Sequence, residues 1–220
     1  MYWVEGEENP HCGSSLDQLD FVFQLIGSTL PQNYLAGFAA ALHTQTNWWQ
    51  TYAPLGFHLL IASEEGNGWS RGNAPEDMIY LSRRNRLVIR GPQSLSKEIE
   101  SLSGKVLRVF RHEVRLKHKH NKCIKPAPTL YSRYMVCGDR HESEFISQIV
   151  RQLREFNIKC KKILCGKRRI ILIDGVDVAT RSIMFEDLKK ADSVRIQALG
   201  LGNYQKFGCG VFIPHKSIKS

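Results

Sequence analysis

The chain has 220 residues, 42% hydrophobic and 24% charged, with a formal net charge of +10. Length and composition allow one large globular domain or two small ones. With no apolar run of about eighteen residues they exclude a helical membrane span, and the acidic stretch at residues 1–9 is the opposite of a secretory leader, so a soluble intracellular protein is expected.

In chain order, residues 19–25 (Leu-Asp-Phe-Val-Phe-Gln-Leu) read as a strand. Pro31 and Asn33 introduce a helix whose apolar set, Leu35, Phe38, Ala39 and Leu42, follows the i, i+3, i+4, i+7 spacing, with His43 at its end. Residues 55–62 and 78–90 read as two strands separated by a Gly/Asn/Glu-rich loop with Trp69. A short helix over 94–102, stopped by Gly104, and a strand over 106–114 complete a β-α-β-β-α-β unit.

Pro126 and Pro128 mark a linker, and the pattern restarts with a strand over 130–137. Asp139 and Glu142 have the spacing of a capping box for a helix with Phe145, Ile146, Ile149, Val150 and Leu153 on one face. Residues 160–164 and 169–173, joined through Gly166, read as a hairpin, with 178–185 as the alternative second arm. A short helix over 192–199 opening on an Asp192/Ser193 cap, a glycine loop and a last strand from Val211 close a second unit. The expected fold is α+β, two tandem ferredoxin-like (RRM-like) domains over 1–124 and 125–220.

Charge divides the chain. Residues 1–100 carry six Lys/Arg against eleven Asp/Glu, whereas residues 101–220 carry twenty-five against ten. A cationic field so segregated attracts a polyanion. Arg151 and Arg154 leave the polar side of the long helix, and Lys161, Lys162, Lys167, Arg168 and Arg169 lie on or beside the hairpin. Together they read as a basic wall suited to an RNA stem, which is recognised through shape and phosphate, although solvated helix faces also carry arginine.

The six cysteines show no C-x-x-C and no regular spacing, which argues against a disulfide framework and a structural zinc site. His112, His118, His120 and Cys123 crowd one segment, but Arg111, Arg115, Lys117, Lys119 and Lys122 among them would repel a cation. That segment reads as a basic loop, and neither a metal nor any other cofactor is expected.

Residues 200–210, Gly-Leu-Gly-Asn-Tyr-Gln-Lys-Phe-Gly-Cys-Gly, are the most informative stretch. Gly200, Gly202, Gly208 and Gly210 permit close backbone approach, and Tyr204, Lys206 and Phe207 between them offer two rings and a cation for a nucleic-acid strand. The plainer alternative is a tight helix-to-strand turn without ligand. A dinucleotide fingerprint is excluded, because its glycines follow a strand and open a helix.

Ser193-Val194-Arg195-Ile196-Gln197 with Gly200-Leu201-Gly202 and Phe207-Gly208-Cys209-Gly210-Val211-Phe212-Ile213-Pro214 resembles the C-terminal signature of the CRISPR-associated endoribonucleases that cut the repeat in precursor guide RNA, the sixth CRISPR-associated family, and within it the myxan-type branch. The run 81–90 is similar to that branch's central strand, and Leu55-Gly56-Phe57-His58 to its Gly-apolar-His step. The resemblance covers most of residues 15–216, but His118 to Asp177 has no detailed match. It implies a metal-independent transesterification in which a ribose 2′-hydroxyl attacks the adjacent phosphorus, leaving a 2′,3′-cyclic phosphate and a 5′-hydroxyl. It further implies CRISPR repeat RNA, precursor and mature, as partner, retention of the cut RNA, other effector-complex subunits as protein partners, and a prokaryotic cytoplasm.

Such chemistry needs a proton acceptor, a proton donor and cations near the phosphorus. The resemblance places a catalytic histidine in or just after the first helix, which His43 fits. His58, in the Gly-apolar-His step, is its rival. Tyr34 stands where the branch has a histidine at the start of that helix, making it a third candidate. The bland reading of either histidine is a hydrogen-bonded core or interface residue. Two-histidine phosphoesterases need paired H-x-T/S motifs, and His141-Glu142-Ser143 falls at what reads as a helix N-terminus. The non-enzymatic alternative is an RNA-binding subunit of an effector complex that holds the hairpin without cutting it.

Overall fold

The computed structural model describes residues 17–60 and 78–216. The loop with Trp69 lies outside the described residues, as does Cys12. In the first half, β1 (Gln18–Ile26) and β2 (Thr29–Pro31) lead into α1 (Tyr34–Gln45) and the short α2 (Trp48–Thr51). Next come β3 (Gly56–Leu60), β4 (Met78–Tyr80), β5 (Arg86–Pro92), α3 (Ser96–Glu100), β6 (Val106–Val109) and β7 (His112–Cys123). Five of these strands form an antiparallel sheet in the order β3-β5-β1-β7-β6, while β2 and β4 pair as a small ribbon.

The second half runs β8 (Leu130–Val136), α4 (Glu142–Glu155), β9 (Lys162–Ile173), β10 (Val176–Glu186), α5 (Lys190–Leu199) and β11 (Ile213–Pro214). Its sheet order is β11-β8-β10-β9. Both halves have the expected ferredoxin-like β-α-β-β-α-β plan, the first with β6 added at an edge.

Several local expectations are corrected. The segment read as a basic loop is β7, in which Val114 and Leu116 are buried while Glu113, Arg115 and Lys117 are exposed, the alternation of a half-buried strand. The run 78–90 divides into β4 and β5. Residues 162–173 form one strand, not two arms, and β10 is the second arm, so the alternative pairing is the one found. Its turn is Asp174-Gly175, both at positive φ (49° and 79°), as a two-residue hairpin loop requires. Gly166 sits at a register shift inside β9, where a Cβ would meet Ser182 Oγ. Helix α4 has His141 as its N-cap, with no side-chain cap. Asp139 pairs instead with Arg168 at 2.8 Å. Helix α5 starts earlier than expected, with Lys189 as N-cap. Ser193 Oγ instead accepts the N–H of Ala127 at 2.9 Å, which ties the linker to the helix.

Two apolar clusters hold the halves. On one face of the first sheet Phe21, Phe23, Phe57, Leu87 and Ile89 receive Leu35, Phe38 and Leu42 of α1. In the second, Phe145, Ile149 and Leu153 of α4 and Ile196 of α5 pack on Ile183, Phe185 and Phe212. The alternation of β10 divides it between them: Ile183 and Phe185 point to α4, whereas Val178, with Ile171, Ile173 and Tyr134, joins the first cluster. The second sheet is therefore covered by helices on one face and by the first half on the other. A buried arginine reinforces that junction. Arg90, 4% exposed, makes a two-pronged contact with Asp20 (2.7 and 2.9 Å) and donates to the carbonyls of Gln197 (3.0 Å) and Phe212 (2.6 Å).

Candidate functional site

Where β3 meets the second half there is a cavity of about 130 Å³. Tyr34 and Leu35 of α1 and Phe57, His58 and Leu59 of β3 form one wall. Tyr131, Arg133 and Tyr134 of β8, with Gly208, Val211 and Ile213, form the other. Two of the three candidate catalytic residues, His58 and Tyr34, thus meet here, beside the glycine loop. His43 does not line this cavity. It is exposed in the last turn of α1, nine residues beyond Tyr34, or about 13 Å along the helix axis.

Both ring nitrogens of His58 are shut off from solvent and have no hydrogen-bond partner among the described residues. Unsatisfied buried polar groups are rare and call for an explanation. Burial pushes the imidazole down to about 4; the carboxylate of Asp20 works against that, and the cations Arg90 and Lys122 add to it. The ring is therefore neutral near pH 7, able to accept a proton. Tyr34 is buried, with its ring edge-on to Phe38 at 6.0 Å. The guanidinium of Arg133 lies 5.4 Å from the centroid of Tyr134, and its charge also senses Tyr34 and Tyr131. Cavity, neutral base, phenol and cation sit together.

The glycine loop has a structural task. At Gly208 (φ +79°) a Cβ would lie 3.0 Å from Leu35 Cδ2 and 3.1 Å from the carbonyl oxygen of Phe57, so the bare backbone lets the loop lie directly against β3 next to His58. At Gly210 (φ +65°) a Cβ would fall 1.9 Å from the carbonyl oxygen of Leu201, and the Gly210 N–H donates to the Tyr134 carbonyl at 2.7 Å. Gly200 is buried in the same turn. Lys206 donates to the carbonyl of Gln50, and Phe207 packs edge-on to Tyr204 at 6.0 Å. Only the tip, Gly202, Asn203 and Tyr204, is exposed.

None of the seven basic residues expected to form the RNA wall lines the His58 cavity. Arg151 and Arg154 are exposed on α4, which covers the opposite face of the second sheet. Lys162 is paired with Glu186 and Arg168 with Asp139. Lys161, Lys167 and Arg169 are exposed along the hairpin arm.

Sequence reasoning missed Tyr131, Arg133 and Tyr134, although an arginine within a strand that is, Ser132 apart, apolar and aromatic is itself a signal. It also missed that β7 presents Arg115, Lys117, Lys119 and Lys122 to solvent from the first half. Among the described residues no His/Cys/Asp/Glu cluster has the arrangement of a metal site. Burial pushes the Cys209 thiol up to about 12, too high for a nucleophile near neutrality. No helix among the described residues is long and apolar enough to cross a membrane.

Residues 19–217 match the family described as Cas6 CRISPR. The CRISPR-associated endonuclease Cas6 of Myxococcus xanthus (strain DK1622) is 25% identical over 139 residues, which are 63% of this chain and 60% of that protein. The match therefore spans less than two thirds of the length of this curated relative. Among solved structures, a CRISPR-associated protein Cas6 superposes with a TM-score of 0.56 at 13% identity, over 90% of this chain and 99% of the other. A Cas6-related protein from Pyrococcus furiosus gives 0.53 at 13%, over 89% and 98%. A RAMP protein described as binding different RNA substrates gives 0.57 at 12%, over 89% and 98%. At these identities the likeness is one of fold.

Proposed function

The chain belongs to the Cas6 CRISPR family, and from that premise we propose that it is an endoribonuclease that binds the stem-loop of CRISPR repeat RNA, cuts the precursor and keeps the product bound. The observation that carries this reading is His58, a neutral imidazole with both nitrogens unsatisfied, facing a cavity that also holds a cation and a phenol. In the proposed reaction the ribose 2′-oxygen attacks the adjacent phosphorus while its proton passes to His58. Arg133 offsets the charge growing on the phosphoryl oxygens. The P–O5′ bond breaks, and the leaving oxygen takes a proton from Tyr34 or from the newly protonated His58. The products are a 2′,3′-cyclic phosphate and a 5′-hydroxyl, and no step calls for a metal.

Cations on both halves supply the phosphate contacts: Lys161 just before β9 with Lys167 and Arg169 on it, and Arg115, Lys117 and Lys119 on β7. Tyr204 at the exposed loop tip offers a stacking surface for an unpaired base. Other subunits of an effector complex are the expected protein partners, in a prokaryotic cytoplasm.

The test is cleavage of an end-labelled repeat hairpin in EDTA. Cutting that persists in EDTA, stops when the scissile ribose is 2′-deoxy and is lost in His58→Ala while RNA binding remains supports the reading. A requirement for Mg²⁺ overturns it. One observation favours the alternative of an RNA-holding subunit that cuts nothing: an imidazole held near 4 is a weak base compared with one tuned to neutrality. Wild-type protein that binds the hairpin tightly and leaves both the RNA and its scissile bond intact would decide for that alternative.

A further inference from the structure

We propose that Asp20 and Arg90 are a positioning pair for His58, Arg90 fixing the second half against the sheet that carries His58 and Asp20 setting the charge that the imidazole meets. This rests on the reading of His58 as the proton acceptor. The strand registers place the three residues together: Asp20 of β1 lies opposite Arg90 of β5, which lies opposite Gly56 of β3, and Val88 lies opposite His58 one pleat further on. Because side chains alternate along a strand, Asp20, Arg90 and His58 leave the same face of the sheet.

Arg90 does two things with one planar group. Nε and Nη2 hold both carboxylate oxygens of Asp20, and Nη1 reaches two backbone carbonyls of the second half, at the end of α5 and just before β11. Gly208, Val211 and Ile213 form part of the wall across from His58, so the fork that anchors the neighbouring Phe212 also sets the distance over which RNA must be gripped. Lysine cannot reproduce a fork of this kind. For Asp20, burial raises the carboxyl, but the attraction of Arg90 and its hydrogen bonds more than offset that, and it stays below the ordinary carboxylate value. Asp20 is thus a fixed negative charge near the imidazole.

The groups facing His58 have opposite effects on it. Asp20 favours its protonated form, while Arg90 and Lys122 of β7 disfavour it. Tyr34 of α1 and Tyr131, Arg133 and Tyr134 of β8 complete the surround; residues 208–213 add no ionisable side chain except the buried Cys209. A pair that only glued the halves together would alter folding and leave the titration of His58 where it is. A positioning pair moves it, in opposite directions for its two members.

The experiment is an NMR titration of the His58 ring in the full-length protein without RNA, compared between wild type, Asp20→Asn and Arg90→Gln, alongside single-turnover cleavage of the repeat hairpin. Asp20→Asn should lower the His58 midpoint and carry the acid limb of the pH–rate profile with it. Arg90→Gln should raise the midpoint, and its loosened wall should lower the cleavage rate by about 100-fold. An unchanged or raised midpoint in Asp20→Asn overturns the proposal, and so do two shifts of the same sign. Should Arg90→Gln fail to fold, the Asp20→Asn titration decides alone. Because the ring titration needs no catalysis, it is independent of the cleavage reading, which fails separately if His58→Ala still cuts.

Discussion

Replacing Gly210 by alanine tests whether the glycine loop is a clasp between the halves. Gly210 has φ +65°, where an L residue costs about 1–2 kcal/mol. The added methyl would lie 1.9 Å from the Leu201 carbonyl oxygen, a backbone atom, so the loop must open. Opening strains two hydrogen bonds, Leu201 N–H to the Gly210 carbonyl (3.1 Å) and Gly210 N–H to the Tyr134 carbonyl (2.7 Å), each worth about 1 kcal/mol. The expected loss is about 3–4 kcal/mol. Gly202→Ala is the internal control: its φ is +71°, but the new methyl meets only the mobile end of Met135, at 2.9 Å from Cε, so backbone strain of about 1–2 kcal/mol remains. Urea titrations at equal m-value measure both. Equal losses, or a larger loss at Gly202, would refute the clasp and return the buried glycines to the role of a phosphate loop.

His58→Ala is expected to lower single-turnover cleavage by at least about 100-fold with RNA affinity kept, and His43→Ala by far less; the reverse order would move the site to the far end of α1. With His58 near 4 in the folded chain and about 6.5 when unfolded, the unfolded state binds the extra proton between those values. The stability contributed by keeping this ring neutral is complete above pH 6.5 and falls by on the order of 3 kcal/mol as the pH drops toward 4. Thermal melts of wild type and His58→Asn at pH 7 and pH 4.5 should therefore differ most at the acid end for wild type, and parallel acid losses would contradict this. Substituting Lys161, Lys167 and Arg169 together by alanine should weaken hairpin binding and reduce the slope of log K against log salt by about 2; an unchanged slope would place the RNA elsewhere.

The doubled ferredoxin-like plan was legible because its strands and long helix have clean periodicities: Phe145, Ile149 and Leu153 are buried as their spacing requires. Errors arose where a local signal had a stronger competitor. Gly166 was read as a turn although Asp174-Gly175, the better hairpin dipeptide, lay eight residues on. The high charge of β7 obscured the alternation of Val114 and Leu116 within it. Asp139 matched a capping box, but the nearby Arg168 claimed its carboxylate. At the site, His58, Tyr34 and the glycine loop are legible as residues, and a loop closing on His43 or His58 is expected between the two sheets; which histidine it meets depends on how the sheets dock. The Asp20–Arg90 pair became visible only in three dimensions, because sequence holds no record of which charges face one another across 70 residues of chain.

The β9–β10 hairpin contributes Ile171, Ile173 and Val178 to the core built on α1, which makes the duplicated halves unequal in independence. A fragment ending after β7 would expose the apolar flank that this hairpin shields, so it should aggregate or remain partly molten when expressed alone. Chimeras that exchange one half with a distant homologue should misfold unless both sides of that seam travel together, and chemical denaturation of the intact chain should proceed in a single cooperative step.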